Sequence, residues 1–156
     1  MTIPRPSALL QDLIEQSHSV ERFTRQGAID SFRDKSDQLT SEEREQFIRA
    51  LLDGEHSDNR TACFRLIGYA SLEMDAEIVT RLGTDPDSKT CFAIYSWLTN
   101  DQDKFRGHFW KDKDRPKIQE ILTALIDRGG HEYLRAAAAQ MHNILFGSLP
   151  NRDLQP

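Results

Sequence analysis

At 156 residues, 38% hydrophobic and 29% charged, the chain has the size and composition of one globular domain rather than a disordered segment. A net charge of −5 argues against nucleic acid as a ligand, because neutralising phosphates needs surplus Lys and Arg. No apolar run nears the roughly 20 residues of a membrane-crossing helix. The start "MTIPRPSALLQDLIEQ" lacks the basic, apolar and small-residue regions of a signal peptide, so a cytoplasmic protein without membrane contact is expected.

Apolar residues recur at helical spacing almost throughout, and no stretch alternates as a strand would. Leu9, Leu10, Leu13 and Ile14 form a first apolar face; Phe23, Ala28, Ile29 and Phe32 form a second. "TSEE" then opens a third helix, with Thr40 as cap and Glu43 reaching back as a capping box. Phe47, Ile48, Leu51 and Leu52 make its stripe, and Gly54, a residue free to take positive φ, is expected to end it. A fourth helix starts at Ser57 or Asp58 and carries Ala62, Cys63, Leu66, Ile67 and Ala70. Asp75 is read as the cap of a short fifth helix with Ile78, Val79 and Leu82, closed by Gly83. "TDPD" starts a sixth, with Asp85 as cap, Pro86 at the first helical position and Cys91, Phe92, Tyr95 and Leu98 along it. Residues 100–115 break the pattern as an irregular loop. Pro116 opens a seventh helix (Ile118, Ile121, Leu122, Leu125, Ile126) that "RGG" ends, and the eighth runs from about His131 to Phe146, with Tyr133, Leu134, Ala137, Ala138, Met141, Ile144 and Leu145. From about 148 a loosely ordered tail follows. The expectation is a single all-α domain over 1–156, about eight helices as four αα-hairpins, in a repeat stack or an irregular helical bundle.

"DNRTACFRLIGYA" and "DSKTCFAIYSWLT" echo one another, each with a turn acid, a base (Arg60 or Lys89), a Thr and an apolar run. "LGTDPDSKT" and the base opening the second helix resemble HEAT-type repeats, in which a D-P-x-V-R turn joins helix A to helix B. The resemblance covers about residues 41–99, more loosely 116–146, and departs where Asn59 and Ser88 stand in place of the usual Val. It implies a stacked scaffold that binds proteins on one face; a fold by itself specifies no chemistry.

No phosphate-cradling glycine pattern and no G-x-S-x-G elbow occurs. Cys63 and Cys91 lie inside apolar helical patterns and read as reduced, buried thiols. His18, His56, His108, His131 and His142 are scattered, "HEYLR" lacks the second His of a zinc helix, and caps and surface positions account for all five. "DQDKFRGHFWKD" fails as a calcium loop, since Phe105 takes a ligand position and Arg106 the turn Gly. Paired acids such as Glu42–Glu43, Asp85–Asp87 and Asp112–Asp114 suit helix starts better than acid–base work. No catalytic residue, metal ligand or cofactor is assigned, and the balance leans away from an enzyme.

"FRGHFWKDKDRPK" sets aromatics among alternating charges. It reads as a core plug, or as a protein-binding loop whose Trp beside Arg and Lys has the composition of an interface hot spot, ahead of a nucleic-acid loop, which its net charge of +2 serves poorly, and of a small-molecule pocket. Arg106, His108, Phe109, Trp110, Lys111, Lys113 and Arg115 are its candidate contact residues. Charge is uneven: residues 41–100 sum to −5 and 101–117 to +2. The middle segment therefore suits a basic protein partner. Size, acidity and absent motifs together favour a protein-binding inhibitor, by analogy with immunity proteins that neutralise a toxin. A HEAT-like adaptor is the alternative, and a small helical enzyme with a site assembled across hairpins is the reading from another class.

Overall fold

A computed structural model describes residues 7–100 and 115–147. Among these the chain is helical, with eight α-helices, two short 3-10 segments and no strand. The helices are α1 (Ala8–Ser17), α2 (Arg22–Lys35), α3 (Ser41–Leu52), α4 (Ser57–Ala62), α5 (Leu72–Gly83), α6 (Ser88–Asn100), α7 (Arg115–Arg128) and α8 (Glu132–Phe146). The all-α expectation holds. Contacts divide the chain into two compact units, Met1–Ile78 and Val79–Pro156, the division falling within α5.

In the first unit α1 and α2 pack as a pair, α1 also meets α3, and α4 packs against α2 and α3. Each helix buries one stripe because apolar residues three and four apart share a face. Leu10 and Leu13 from α1, Ala28, Ile29 and Phe32 from α2, and Phe47, Ile48, Leu51 and Leu52 from α3 are buried together with Cys63 and Leu66. Phe32 and Phe47 stack with ring centroids 4.6 Å apart. The capping box forms as read: Thr40 accepts from the Glu43 N–H at 3.1 Å and Glu43 Oε1 accepts from the Thr40 N–H at 3.1 Å. Glu43 Oε2 also accepts the Ser7 N–H at 3.1 Å, fastening the start of α1 to the start of α3. Hydrogen bonds from the Ser7 side chain and from the Thr40 and Ser7 N–H groups hold the Glu43 carboxyl below its usual range.

Four boundaries differ from the sequence reading. α4 stops at Ala62 and tightens into a 3-10 segment, Cys63–Leu66, so Ile67 and Ala70 are only half-buried. The chain then reverses at Gly68, at φ 98° and so in the region that favours glycine. Asp75 does not cap α5; Ser71 does, accepting from the Met74 N–H at 3.2 Å. Asp75 instead lies buried in the first turn, where its Oδ1 accepts the Gly68 N–H at 3.1 Å. Burial, with the Glu45 charge adding to it, pushes this carboxyl up to about 6 against the Gly68 hydrogen bond. Pro86 does not open α6, which begins at Ser88 with Asp87 accepting from the N–H groups of Lys89 (3.0 Å) and Thr90 (3.1 Å). Asp85 accepts from the Asp87 N–H at 2.8 Å and so shapes the turn before the helix. Gly54 is not at positive φ.

In the second unit α8 packs along both α7 and α6. Val79, Leu82, Ile94, Leu98, Ile118, Ile121, Leu122, Leu125, Leu134, Ala138 and Met141 form the core. The Gly130 N–H reaches the Gly83 carbonyl at 2.9 Å, and a Cβ at Gly130 would lie 2.6 Å from the Asp85 carbonyl oxygen. The two turns therefore meet at a distance that only glycine allows. His142 is buried, against the expectation of surface and capping histidines. Its Nδ1 faces the Gly147 carbonyl at 3.2 Å, which requires Nδ1 to donate, and leaves Nε2 to accept from the Gln119 amide at 3.4 Å.

Candidate functional site

Of the residues singled out in the 104–115 loop, Arg106, His108, Phe109, Trp110, Lys111 and Lys113 lie outside the described residues. Arg115 is described and begins α7. Its guanidinium donates to the Leu145 carbonyl at 2.8 Å and sits 4.8 Å from the centre of the Phe146 ring. It fastens the start of α7 to the end of α8.

The surface that stands out is on the second unit, where α6 meets the start of α8. The inward stripe of α6 is Cys91, Ile94 and Leu98, at spacings of three and four. Phe92 and Tyr95 each stand one residue later, about 100° around the helix, and so turn away from the core. On α8 the inward stripe begins at Leu134, and Tyr133 precedes it by one residue with the same result. Phe92 is 61% exposed and Tyr133 is 62% exposed, unusual figures for large apolar side chains. The rings form a continuous series: Phe92 to Tyr95 at 5.5 Å, Tyr95 to Tyr133 at 6.4 Å and Tyr133 to His131 at 4.9 Å.

These rings, with Ser88, Lys89 and Cys91, line an open groove of about 450 Å³. Cys91 is at its buried side, directed at the Gly83 carbonyl at 3.5 Å, and burial pushes its thiol pKa up, so it stays protonated. His131 caps α8, its Nδ1 accepting from the Tyr133 N–H at 3.0 Å. A backbone N–H can only donate, so the neutral imidazole carries its proton on Nε2. The groove thus offers π-faces along its length and donors at its rim, the His131 Nε2–H and the Lys89 ammonium. Aromatic rings backed by a core and flanked by polar groups can seat an apolar side chain and exclude water around it.

The first unit carries a different kind of surface. A shallow concavity of about 340 Å³ is lined by Ser41, Glu42, Arg44, Glu45, Tyr69 and Ser71, among others. Asp75 does not line it; the carboxyl serves the Gly68 turn from beneath. Elsewhere in the first unit, Arg25 is buried and donates to Asp58 at 3.0 Å and to the Ser19 and Val20 carbonyls at 3.0 and 3.1 Å. Burial works against the Asp58 charge, but Arg25 and the Asn59 N–H outweigh it and hold the carboxyl below its ordinary value. These carboxylates are structural ties. Cys63 and Cys91 are both buried thiols, as the sequence indicated. Among the described residues no three His, Cys, Asp or Glu side chains converge as a metal site would require.

Sequence reasoning assigned Phe92, Tyr95 and Tyr133 to helix faces without separating the inward phase from its neighbour. The signal was present as a one-residue offset from Cys91–Ile94–Leu98 and from Leu134–Ala138–Met141. None of the described helices is long and apolar enough to cross a membrane. The chain matches no known protein family, no curated protein and no solved structure.

Proposed function

We propose that the protein is a non-enzymatic protein-binding domain of the inhibitor or immunity type, which neutralises a partner by covering its functional surface. The observation that carries this reading is the aromatic groove of α6 and α8. Phe92 and Tyr133 stand exposed over a rigid core, the arrangement in which truncating one side chain removes a large share of binding energy. The acidic surplus of residues 41–100 supports a partner with a basic face and speeds its approach.

The test is capture of partners from native lysate by the wild-type chain and by a Phe92→Ala, Tyr133→Ala variant, followed by assay of the captured protein. The expected result is one stoichiometric partner, lost from the variant, whose own activity falls when purified wild-type protein is added. Equal capture by both chains sinks the groove as the contact surface. A captured partner that keeps full activity favours the second reading, a HEAT-like adaptor. That reading draws support from α5 and α6, two helices joined by the short 84–87 turn at the place the repeat pattern puts it.

A further inference from the structure

The exposed apolar side chains of the two units are supported differently. In the first unit Val20 and Phe23 are 91% and 92% exposed; the sequence reading placed Phe23 on the buried face of α2, and the structure corrects this. The turn beneath them is clamped at the Ser19 and Val20 carbonyls by the Arg25 guanidinium. In the second unit Tyr133 is oriented by the imidazole of His131, and imidazoles as a class change charge between about pH 5 and 8.

The bond from His131 works in one protonation state only. Nδ1 accepts the Tyr133 N–H at 3.0 Å, with the two rings 4.9 Å apart. A backbone N–H cannot accept, so the bond exists only while Nδ1 keeps its lone pair. Protonation places a second N–H on the imidazole, directed at the Tyr133 N–H, and the ring must turn away. It also sets a positive charge at the start of α8, where the helix dipole is itself positive. His131 is exposed, so the ring can turn into water without opening the core. The first turn of α8 then loses its cap, and with it the fixed position of Tyr133, the link between Tyr95 and His131 in the ring series. Leu134, one residue on, is buried and keeps the rest of the helix seated.

The surrounding charges do not alter this sign. Lys89 on α6, Arg128 at the end of α7 and Arg135 on α8 oppose a charge on the imidazole; Asp85 and Asp87 before α6 and the exposed Glu132 favour it. Cys91, Tyr95 and Tyr133 share the groove with it. Together these groups set the pH at which the ring charges, but a charged ring cannot accept the Tyr133 N–H at any pH. The imidazolium also adds a second cation to a groove that already holds Lys89, which disfavours a partner with a basic face.

We propose that His131 is a pH-sensitive latch on the α6–α8 groove: the neutral imidazole holds the start of α8 and the aromatic series in place, and protonation releases both and weakens docking of the basic-faced partner. This rests on the reading of the groove as a protein-docking surface and adds its regulation.

Nitrogen and proton NMR of the purified full chain between pH 8 and pH 5 tests this, beside His131→Asn, whose amide oxygen caps a helix but does not ionise. Comparing amide exchange at Tyr133 between the two chains at each pH cancels the intrinsic dependence of exchange on pH and the titration of the first-unit carboxyls. The ratio of wild type to variant is expected to rise about fivefold from pH 8 to pH 5, the factor that one lost helix cap carries. The rise should track protonation of the His131 ring, and contacts between the Tyr95 and Tyr133 rings should weaken with it. Indole, neutral throughout this range, probes the groove. At pH 8 it should shift the signals of Phe92, Tyr95 and Tyr133 in both chains; at pH 5 wild type should bind it several-fold more weakly, and the variant should not change. A flat Tyr133 exchange ratio, or an indole affinity that falls alike in both chains, overturns the latch. Indole held equally by wild type at pH 8 and pH 5 overturns the latch and leaves the groove reading standing. Indole that never shifts those three residues overturns both.

Discussion

In the first unit, several ties between elements run through ionisable side chains: Glu43 holds Ser7 and Thr40, Arg25 meets Asp58, Arg49 meets Glu77 in a two-pronged pair, and Asp75 holds the Gly68 turn. In the second unit, besides the Gln119–His142 contact, the ties include close backbone approaches and arginine-to-carbonyl bonds. Gly130 touches the 83–85 turn, Arg135 donates to the Gly129 carbonyl at 2.7 Å, and Arg115 closes on Leu145. The difference has a consequence for solution behaviour. Three carboxyls displaced from their ordinary range, Glu43, Asp58 and Asp75, lie in the first unit, so it should carry a strong dependence on pH. Steric fit is indifferent to pH, and the glycine contacts of the second unit should fail only when volume is added.

The largest effect expected is a gain. Asp75 titrates near 6 when folded and near 4 when unfolded, so between those values the folded chain binds more protons than the unfolded one. Its contribution to stability therefore falls as pH rises through that window, and the full cost is present above 6. Glu43 and Asp58 act in the opposite sense, since a depressed carboxyl contributes stability that is lost as pH drops through its folded pKa. Asp75→Asn keeps an oxygen to accept the Gly68 N–H and removes the buried charge. At pH 7 it should stabilise the chain by up to about 3 kcal/mol. Urea unfolding at pH 4, 5, 6 and 7 checks this: the gain should shrink steadily toward pH 4. A gain that is the same at every pH would assign the effect to something other than ionisation.

Gly130→Ala tests the second unit. The added methyl would meet the Asp85 carbonyl at 2.6 Å and Cys91 Sγ at 3.2 Å, and the first of these is backbone that cannot swing aside. A loss of about 1–3 kcal/mol is expected, from overpacking. Thermal unfolding followed by hydrogen exchange should place the lost protection at residues 83–91 and 129–135. The loss should be constant from pH 5 to 7, which is the sharpest contrast with Asp75→Asn. An alanine accommodated without cost would mean that the two turns have room to part.

What the sequence disclosed, and what it hid, follows from range. Every helix was legible, because periodic apolar stripes such as Phe47–Ile48–Leu51–Leu52 are local. The capping box at Thr40 was legible for the same reason, its two partners being three residues apart. Asp75 was misassigned because a carboxylate before an apolar run looks like a cap, and only the return of the chain at Gly68 gives it another partner. Asp85 and Asp87 could each cap α6, and the choice depended on the 83–85 turn meeting Gly130, some 45 residues on. The groove was hidden for a different reason. Phe92 and Tyr95 come from α6 and Tyr133 from α8, so their juxtaposition exists only after those helices pack, although the phase of each residue was readable in isolation.

The smallest effect in the series separates a local cap from a tie between helices. Thr40→Ala removes the oxygen that accepts the Glu43 N–H and should cost about 1 kcal/mol, the usual penalty for an uncapped helix start. Were capping its only role, hydrogen exchange would quicken at Glu43 and nearby amides of α3 alone. But Glu43 is positioned by that bond, and the same carboxylate holds the Ser7 N–H, 36 residues away. A loosened Glu43 should therefore quicken exchange at Ser7 and in the first turn of α1 as well. Glu43→Gln, whose one remaining oxygen can still accept from Thr40 while its amide NH2 cannot accept from Ser7, should show the α1 effect with less change in α3. If Ser7 exchanges at its wild-type rate in both variants, the start of α1 is held by Leu10 and Leu13 packing instead, and the ionisable ties of the first unit are fewer than the geometry implies.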